Sequence, residues 1–281
     1  MDGLSADRAV TRPAERLRPL VSRYVGYRYT GLAPGTHRGL PSPYLTLVIS
    51  LGPPTRVSAV SYPDQPPEDF IALVGGLHTR SAVIHYDGAM YGVQVDLTPA
   101  GARSLLGFPA GDLGPLVVRL EDLLGPDVDE LVERMVAAPD CPARFDLLNS
   151  VLGRRAGQIA PAEAPLTHAW DHIVKAAGDV RVSQVAAEVG WSRRQLGERF
   201  TREYGLTVKE ACRVLRFHRS RLLIQHQPGI TIGAAAAASG YYDQAHLARE
   251  WRELAGCPPS TWLGSEELPF IQDAAEAKGA D

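Results

Sequence analysis

Apolar residues recur along this chain in two rhythms. Between residues 44 and 97 they come in short runs rich in β-branched and aromatic side chains, at 44–51, 56–62, 70–75, 81–86 and 91–97, with Pro and Gly between them. That pattern predicts the strands of an antiparallel sheet, closing as a small barrel. Asp87-Gly88 supplies a turn signal between the last two. Upstream, residues 1–11 read as a loose leader, 12–29 as a short helix or strand, and 31–43 as a Gly/Pro loop. Beyond Thr98 the spacing lengthens to three and four, which predicts helices. They are expected at 98–106, at 120–138 with a break at Gly125-Pro126, at 143–155, and from 166 to about 263. The fold class expected is therefore α+β: a β-rich, barrel-like N-terminal domain with helices over 12–156, then an all-α domain over 166–264. A linker over 157–165 joins them, and an acidic, disordered tail follows at 265–281.

The all-α part contains one pattern twice. Ala186, Gly190, Leu196, Phe200 and Gly205 are matched some fifty residues later by Ala236, Gly240, Leu247, Trp251 and Gly256. Each copy reads as a short small-residue helix, a Gly turn, and a second helix with apolar residues four apart, which is a helix-turn-helix. Two in tandem suit a protein that places one helix in each of two successive major grooves of double-stranded DNA. In the first copy Ser192 and Gln195 form a capping box ahead of a helix over 193–204. Leu196 and Phe200 face inward, so Arg193, Arg194, Gly197 and Glu198 face out. Arg194 suits a guanine edge, and Glu198 suits a cytosine amino group or the orienting of an arginine. In the second copy Asp243 is the N-cap, Leu247, Trp251 and Leu254 are core, and Gln244, Ala245, Ala248 and Arg249 lead the outward face. Gln244 suits adenine, the alanines thymine methyls, and Arg249 guanine or phosphate.

Thr207 and Glu210 cap a joining helix that runs from 208 to about 225 and carries Lys209, Arg213, Arg216, Arg219 and Arg221. These cations are read as phosphate or solvent contacts, Arg216 among the DNA-binding set. Charge is divided in the same sense. The chain is −3 overall, yet residues 167–265 hold 13 Lys+Arg against 9 Asp+Glu, while the remainder holds 16 against 23. A basic half beside an acidic one fits nucleic-acid contact at one end only. Three scattered cysteines argue against a disulfide frame, and no run reads as a secretory leader or membrane span. The expected setting is the cytoplasm.

The supporting helix with Ala186, the Gly-Trp-Ser at 190–192, the stretch LRFHRSRLL at 215–223 and GYYDQAHLAREWRELAGCPPSTW at 240–262 together resemble the C-terminal domain of AraC/XylS-family transcriptional regulators. Leu247, Trp251, Ala245 and Leu263 depart from the residues common there. The resemblance implies a seven-helix domain with two helix-turn-helix motifs and a one-component regulator that contacts RNA polymerase. It also implies an N-terminal domain for a small-molecule effector or a homodimer. For that domain, Tyr44, His78, Arg80 and Tyr86 are the candidate ligand-binding residues, Arg80 suiting an acidic ligand. His37, His78 and His85 lack the spacing of a metal site, and no cofactor or catalytic residue is expected. The alternatives are an N-terminal domain that only dimerises, or a barrel enzyme fused to a DNA-binding domain.

Overall fold

A computed structural model describes residues 5–58, 65–157 and 161–265. Ten strands form two antiparallel sheets. The larger has the order β1-β2-β9-β4-β7-β10 and the smaller β3-β8-β5-β6. The strands are β1 (Ser5–Thr11), β2 (Val21–Thr30), β3 (Gly35–Gly39), β4 (Leu45–Ser50), β5 (Thr55–Ser58), β6 (Glu68–Phe70), β7 (Ala72–Gly75), β8 (Ala82–Tyr86), β9 (Ala89–Leu97) and β10 (Val117–Arg119). Period-two alternation sorts each central strand between two environments. Leu45, Leu47 and Ile49 of β4, with Val93, Val95 and Leu97 of β9, turn to the main core. Thr46, Val48, Met90 and Gln94 turn the other way and line the space between the sheets.

Residues 1–4 lie outside the described residues. The leader reading is corrected over residues 5–11, where β1 pairs with β2 along its whole length. Its burial is mostly exposed, so this edge strand carries no inward apolar stripe to betray it. The loop reading of 31–43 is likewise corrected, because Gly35–Gly39 pairs with β8. Of the strand expected over 56–62, residues 59–62 lie outside the described residues, as do 158–160 of the linker and 266–281 of the tail.

Helices follow the strands: α1 (Pro99–Gly101) running into a π-helical turn (Ala102–Leu106), α2 (Ala110–Leu113), α3 (Leu120–Leu124), α4 (Asp127–Ala137) and α5 (Cys141–Arg155). The break at Gly125-Pro126 stands where the sequence puts it. Helix α5 lies on β2, with Phe145 stacked on Tyr24 and Cys141 filling the space over Gly26. Buried Arg144 donates to the carbonyls of Met135 and Ala138, capping α4.

The C-terminal helices are α6 (Ala164–Lys175), α7 (Val182–Glu188), α8 (Arg193–Tyr204), α9 (Val208–His226), α10 (Ile232–Ala238), α11 (Gln244–Ala255) and α12 (Pro259–Ser265). They form two small bundles. Trp170, Phe200 and Tyr204 pack together in the first. Phe217, Trp251 and Trp262 pack together in the second, where the Trp251 indole donates to Ser220 Oγ at 3.0 Å. No helix among the described residues is long and apolar enough to cross a membrane.

The two halves are in contact. Arg103, on the π-helical turn, makes a two-pronged ion pair with Glu203 of α8 at 2.8 and 2.6 Å. Helix α2 packs on the end of α8. Arg38 and Ser81, from the smaller sheet, donate to the Ala255 carbonyl that ends α11, both at 3.3 Å. The β-rich half thus sits against the carboxyl ends of both second helices, through a side-chain ion pair at α8 and through donors to the last carbonyl at α11.

Candidate nucleic-acid interface

Both outward helices begin at side-chain caps. Ser192 Oγ accepts from the Gln195 amide at 3.1 Å, and Asp243 Oδ1 from the His246 amide at 2.7 Å. Gly190 and Gly240 take positive φ at the turns, as Gly205 and Gly256 do at the helix ends. A residue with a Cβ is disfavoured at those four sites. Thr207 and Glu210 complete the reciprocal capping box at the start of α9. Ser192 makes its bond to Gln195 without the reciprocal side-chain bond; the exposed Gln195 leaves its helix start singly capped.

On α8, Arg193, Arg194 and Glu198 are exposed, Arg194 most of all, and the last two pair at 2.8 Å as i, i+4 neighbours. Gly197 has open space beyond it. On α11, Gln244, Ala245 and Arg249 are exposed and Ala248 is half-buried. These outward positions occupy the starts of two capped helices, with Leu196, Phe200, Leu247, Trp251 and Leu254 fully buried on the inner side. Tyr242 was not anticipated. It stands just before the Asp243 cap and is 92% exposed, whereas its neighbour Tyr241 is buried. Two adjacent tyrosines before a cap carry no periodic signal for which one turns outward.

Arg216 requires correction. It is three-quarters or more buried and points into the domain. It donates to the Gly178 carbonyl at 3.0 Å and to Glu250 at 3.3 Å, and it lies over the Tyr241 ring. Arg213 pairs with Glu250 at 2.9 Å and with Glu253. Arg221 is 1% exposed and beside His218. Three of the five Lys and Arg side chains on α9 are therefore internal, Arg213 and Arg216 held by carboxylates of α11 and Arg221 beside His218 of its own helix. Lys209 and Arg219 remain on the surface.

A cavity of about 80 Å³ lies between the two sheets. His78 lines it, together with His37, Tyr27, Gln94 and an apolar set. The other three candidate ligand residues are elsewhere, which corrects the single pocket expected. Tyr44 sits at the junction of the halves, its ring edge-on to His218 of α9. Tyr86 is buried beside Tyr27 and Met90, which line the cavity, and itself borders a second, more polar depression that shares those two residues. Arg80 is exposed in the turn before β8. Of the remaining histidines, His85 borders that second depression and is bonded to Ser58.

Burial lowers the His78 pKa from 6.5 to about 4, so the ring is neutral at pH 7. Because the folded value lies below the unfolded one, its contribution to stability is complete above pH 6.5 and is lost as pH falls from 6.5 to about 4. His78→Gln is expected to reduce the loss of stability between pH 7.5 and pH 5 by about 1–2 kcal/mol. Chemical denaturation at the two pH values checks this, and an unchanged pH dependence would show that burial does not hold the ring neutral.

Residues 185–265 match the family described as Helix-turn-helix domain, and residues 9–119 match a Domain of unknown function (DUF6597). No curated protein matches the chain in sequence. In three dimensions the chain is similar to ToxT from Vibrio cholerae O395, at 13% identity over 94% of this chain and 98% of that one, with a TM-score of 0.53. It is similarly close to unsaturated fatty acid bound wild-type ToxT from Vibrio cholerae strain SCE256, at 12% identity over 94% and 95%, with a TM-score of 0.52. At such identities the likeness is one of fold. Residues 185–265 are thus an AraC-type helix-turn-helix domain, and the chain that carries them has the two-domain fold of ToxT.

Proposed function

We propose that this protein is a sequence-specific transcriptional regulator whose N-terminal domain, over 12–156, senses a small-molecule effector and changes how the double helix-turn-helix domain, over 166–264, holds its site. The observation that carries this is the pair of capped helices with exposed starts, α8 and α11, both touched at their carboxyl ends by the β-rich half. An effector acts here by favouring one arrangement of that contact over another. ToxT has been solved with an unsaturated fatty acid bound, and the inter-sheet cavity is the corresponding place in our reading for a small molecule to act. The reading assigns the protein no reaction. It further takes it to work in the cytoplasm, as a homodimer that contacts RNA polymerase.

The proposed reading set is Arg193, Arg194, Glu198, Gln244, Ala245, Ala248 and Arg249. Binding of purified full-length protein to fragments of its host genome, at several salt concentrations, tests it. A recovered motif about two helical turns long supports the reading. Salt-sensitive binding without any motif would sink it. Arg194→Ala and Arg249→Ala are expected to weaken the recovered site by about 1–3 kcal/mol and random DNA far less. Arg216→Ala, lying inside the domain, is expected to leave the salt slope unchanged. A slope reduced by about one would return that side chain to a phosphate.

A further inference from the structure

We infer that the inter-sheet cavity takes an uncharged, largely apolar molecule bearing one hydroxyl or similar hydrogen-bonding group, which is received by His78. This rests on the sensing role proposed above for the N-terminal domain and narrows its ligand to a chemical class. The walls come from both sheets. Val48, Leu73 and Val117 of the larger sheet face Val57 and Ile84 of the smaller, with Gly39 and Gly75 leaving space where side chains would stand. Among the described residues, none that lines the cavity is Asp, Glu, Lys or Arg.

Charge decides the class. A carboxylate or phosphate in this space would lose its hydration and meet no cation, which is strongly unfavourable. His78 does not supply one, because desolvation holds its ring neutral. Arg80, the cation that sequence alone suggests for an acidic ligand, does not line the cavity. The polar signal is single and local. The Nδ1 atom of His78 is buried with no hydrogen-bond partner. Buried polar atoms are nearly always paired, so an unpaired one in an otherwise apolar chamber marks where a ligand's polar group belongs. A hydroxyl fits either tautomer of the ring, since it both donates and accepts. The geometry also links the cavity to the DNA-binding half. Gln94 and Thr46 line it on one side and border the junction with His218 and Arg221 of α9 on the other.

The test uses matched probes at pH 7.5 on the full-length protein: 1-octanol against octanoate, and 2-naphthol against 2-naphthoate, with retention read by equilibrium dialysis. At least one uncharged probe is expected to be retained at least tenfold better than its anionic partner. His78→Phe is expected to abolish that preference for the hydroxyl compound, and His78→Gln, which keeps a hydrogen-bonding group, to restore part of it. Equal or better retention of the anions, retention of none of the four, or full retention by His78→Phe would overturn the inference. Each variant is first required to melt cooperatively and to bind duplex DNA as the parent does. The regulator reading fails separately, through absence of a preferred DNA site, whatever the probes do.

Discussion

Glu250→Ala is expected to destabilise the second helix-turn-helix unit by about 3 kcal/mol, the low end of the cost of breaking a buried ion pair. Glu250 looks like one more charged residue on an outward helix, yet it is buried on the inner side of α11. It accepts from Arg213 at 2.9 Å and from Arg216 at 3.3 Å, both on α9. Truncation leaves two guanidinium groups without their shared carboxylate in a place where water cannot fully replace it. Arg213 keeps Glu253, which moderates the loss; Arg216 keeps only the Gly178 carbonyl and the Tyr241 ring. Spread over a chain of this size, the change lowers the melting temperature by about 5 °C. Glu198→Ala is the matched control. Its carboxylate pairs with Arg194 in the open at an i, i+4 spacing, worth at most about 0.5 kcal/mol. Calorimetry on both variants decides. A Glu250→Ala protein melting within a degree or two of the parent would mean that the three charges do not form one brace.

That contrast also shows what could be read from the sequence. The limits of α8 agree with the expected 193–204, because a cap, two apolar residues four apart and a closing glycine all lie within one short stretch. The buried set Leu196, Phe200, Leu247, Trp251 and Leu254 follows from the same local spacing. The α9 cations did not follow. Their partners Glu250 and Glu253 are more than thirty residues away, so no local pattern announces them. A helix that buries Val208, Cys212, Leu215, Phe217, Arg221 and Ile224 has little outward face left for a basic stripe. The ligand residues failed for a related reason. Whether a strand residue meets the cavity, the core or solvent depends on sheet register. Thr46 lines the cavity, and Leu45 and Leu47, one position to either side, lie in the core. Tyr44, just before that strand, meets α9 instead. The α+β class survives these errors because it depends only on the change of period after Thr98.

Two glycine-to-alanine changes at the same helix are expected to act in opposite directions. Gly197 lies on the outward side of α8 with open space around it, so alanine there removes only the backbone freedom that glycine retains when unfolded. Gly197→Ala is expected to stabilise by up to about 1 kcal/mol. Gly111, on α2, is the opposite case. A Cβ there would stand 2.2 Å from the Arg202 carbonyl oxygen and 3.0 Å from the Gly205 nitrogen. Both are backbone atoms at the end of α8, so no rotamer relieves the clash. Helix α2 must withdraw, and the Arg103–Glu203 pair beside it is strained or broken. Gly111→Ala is therefore expected to cost about 1–3 kcal/mol. Gly111→Val, which is bulkier, is expected to split a single melting transition into two. Its effect should extend to DNA. With the contact at α8 released, the first reading helix is no longer referred to the β-rich half that also touches Ala255 at the end of α11. Discrimination among DNA sites differing only in the separation of their two halves should then weaken, while affinity for a single half is unchanged. Equal stability of the Gly111→Ala and Gly197→Ala proteins, or unaltered spacing preference in Gly111→Val, would show that this contact does not hold the two halves in register.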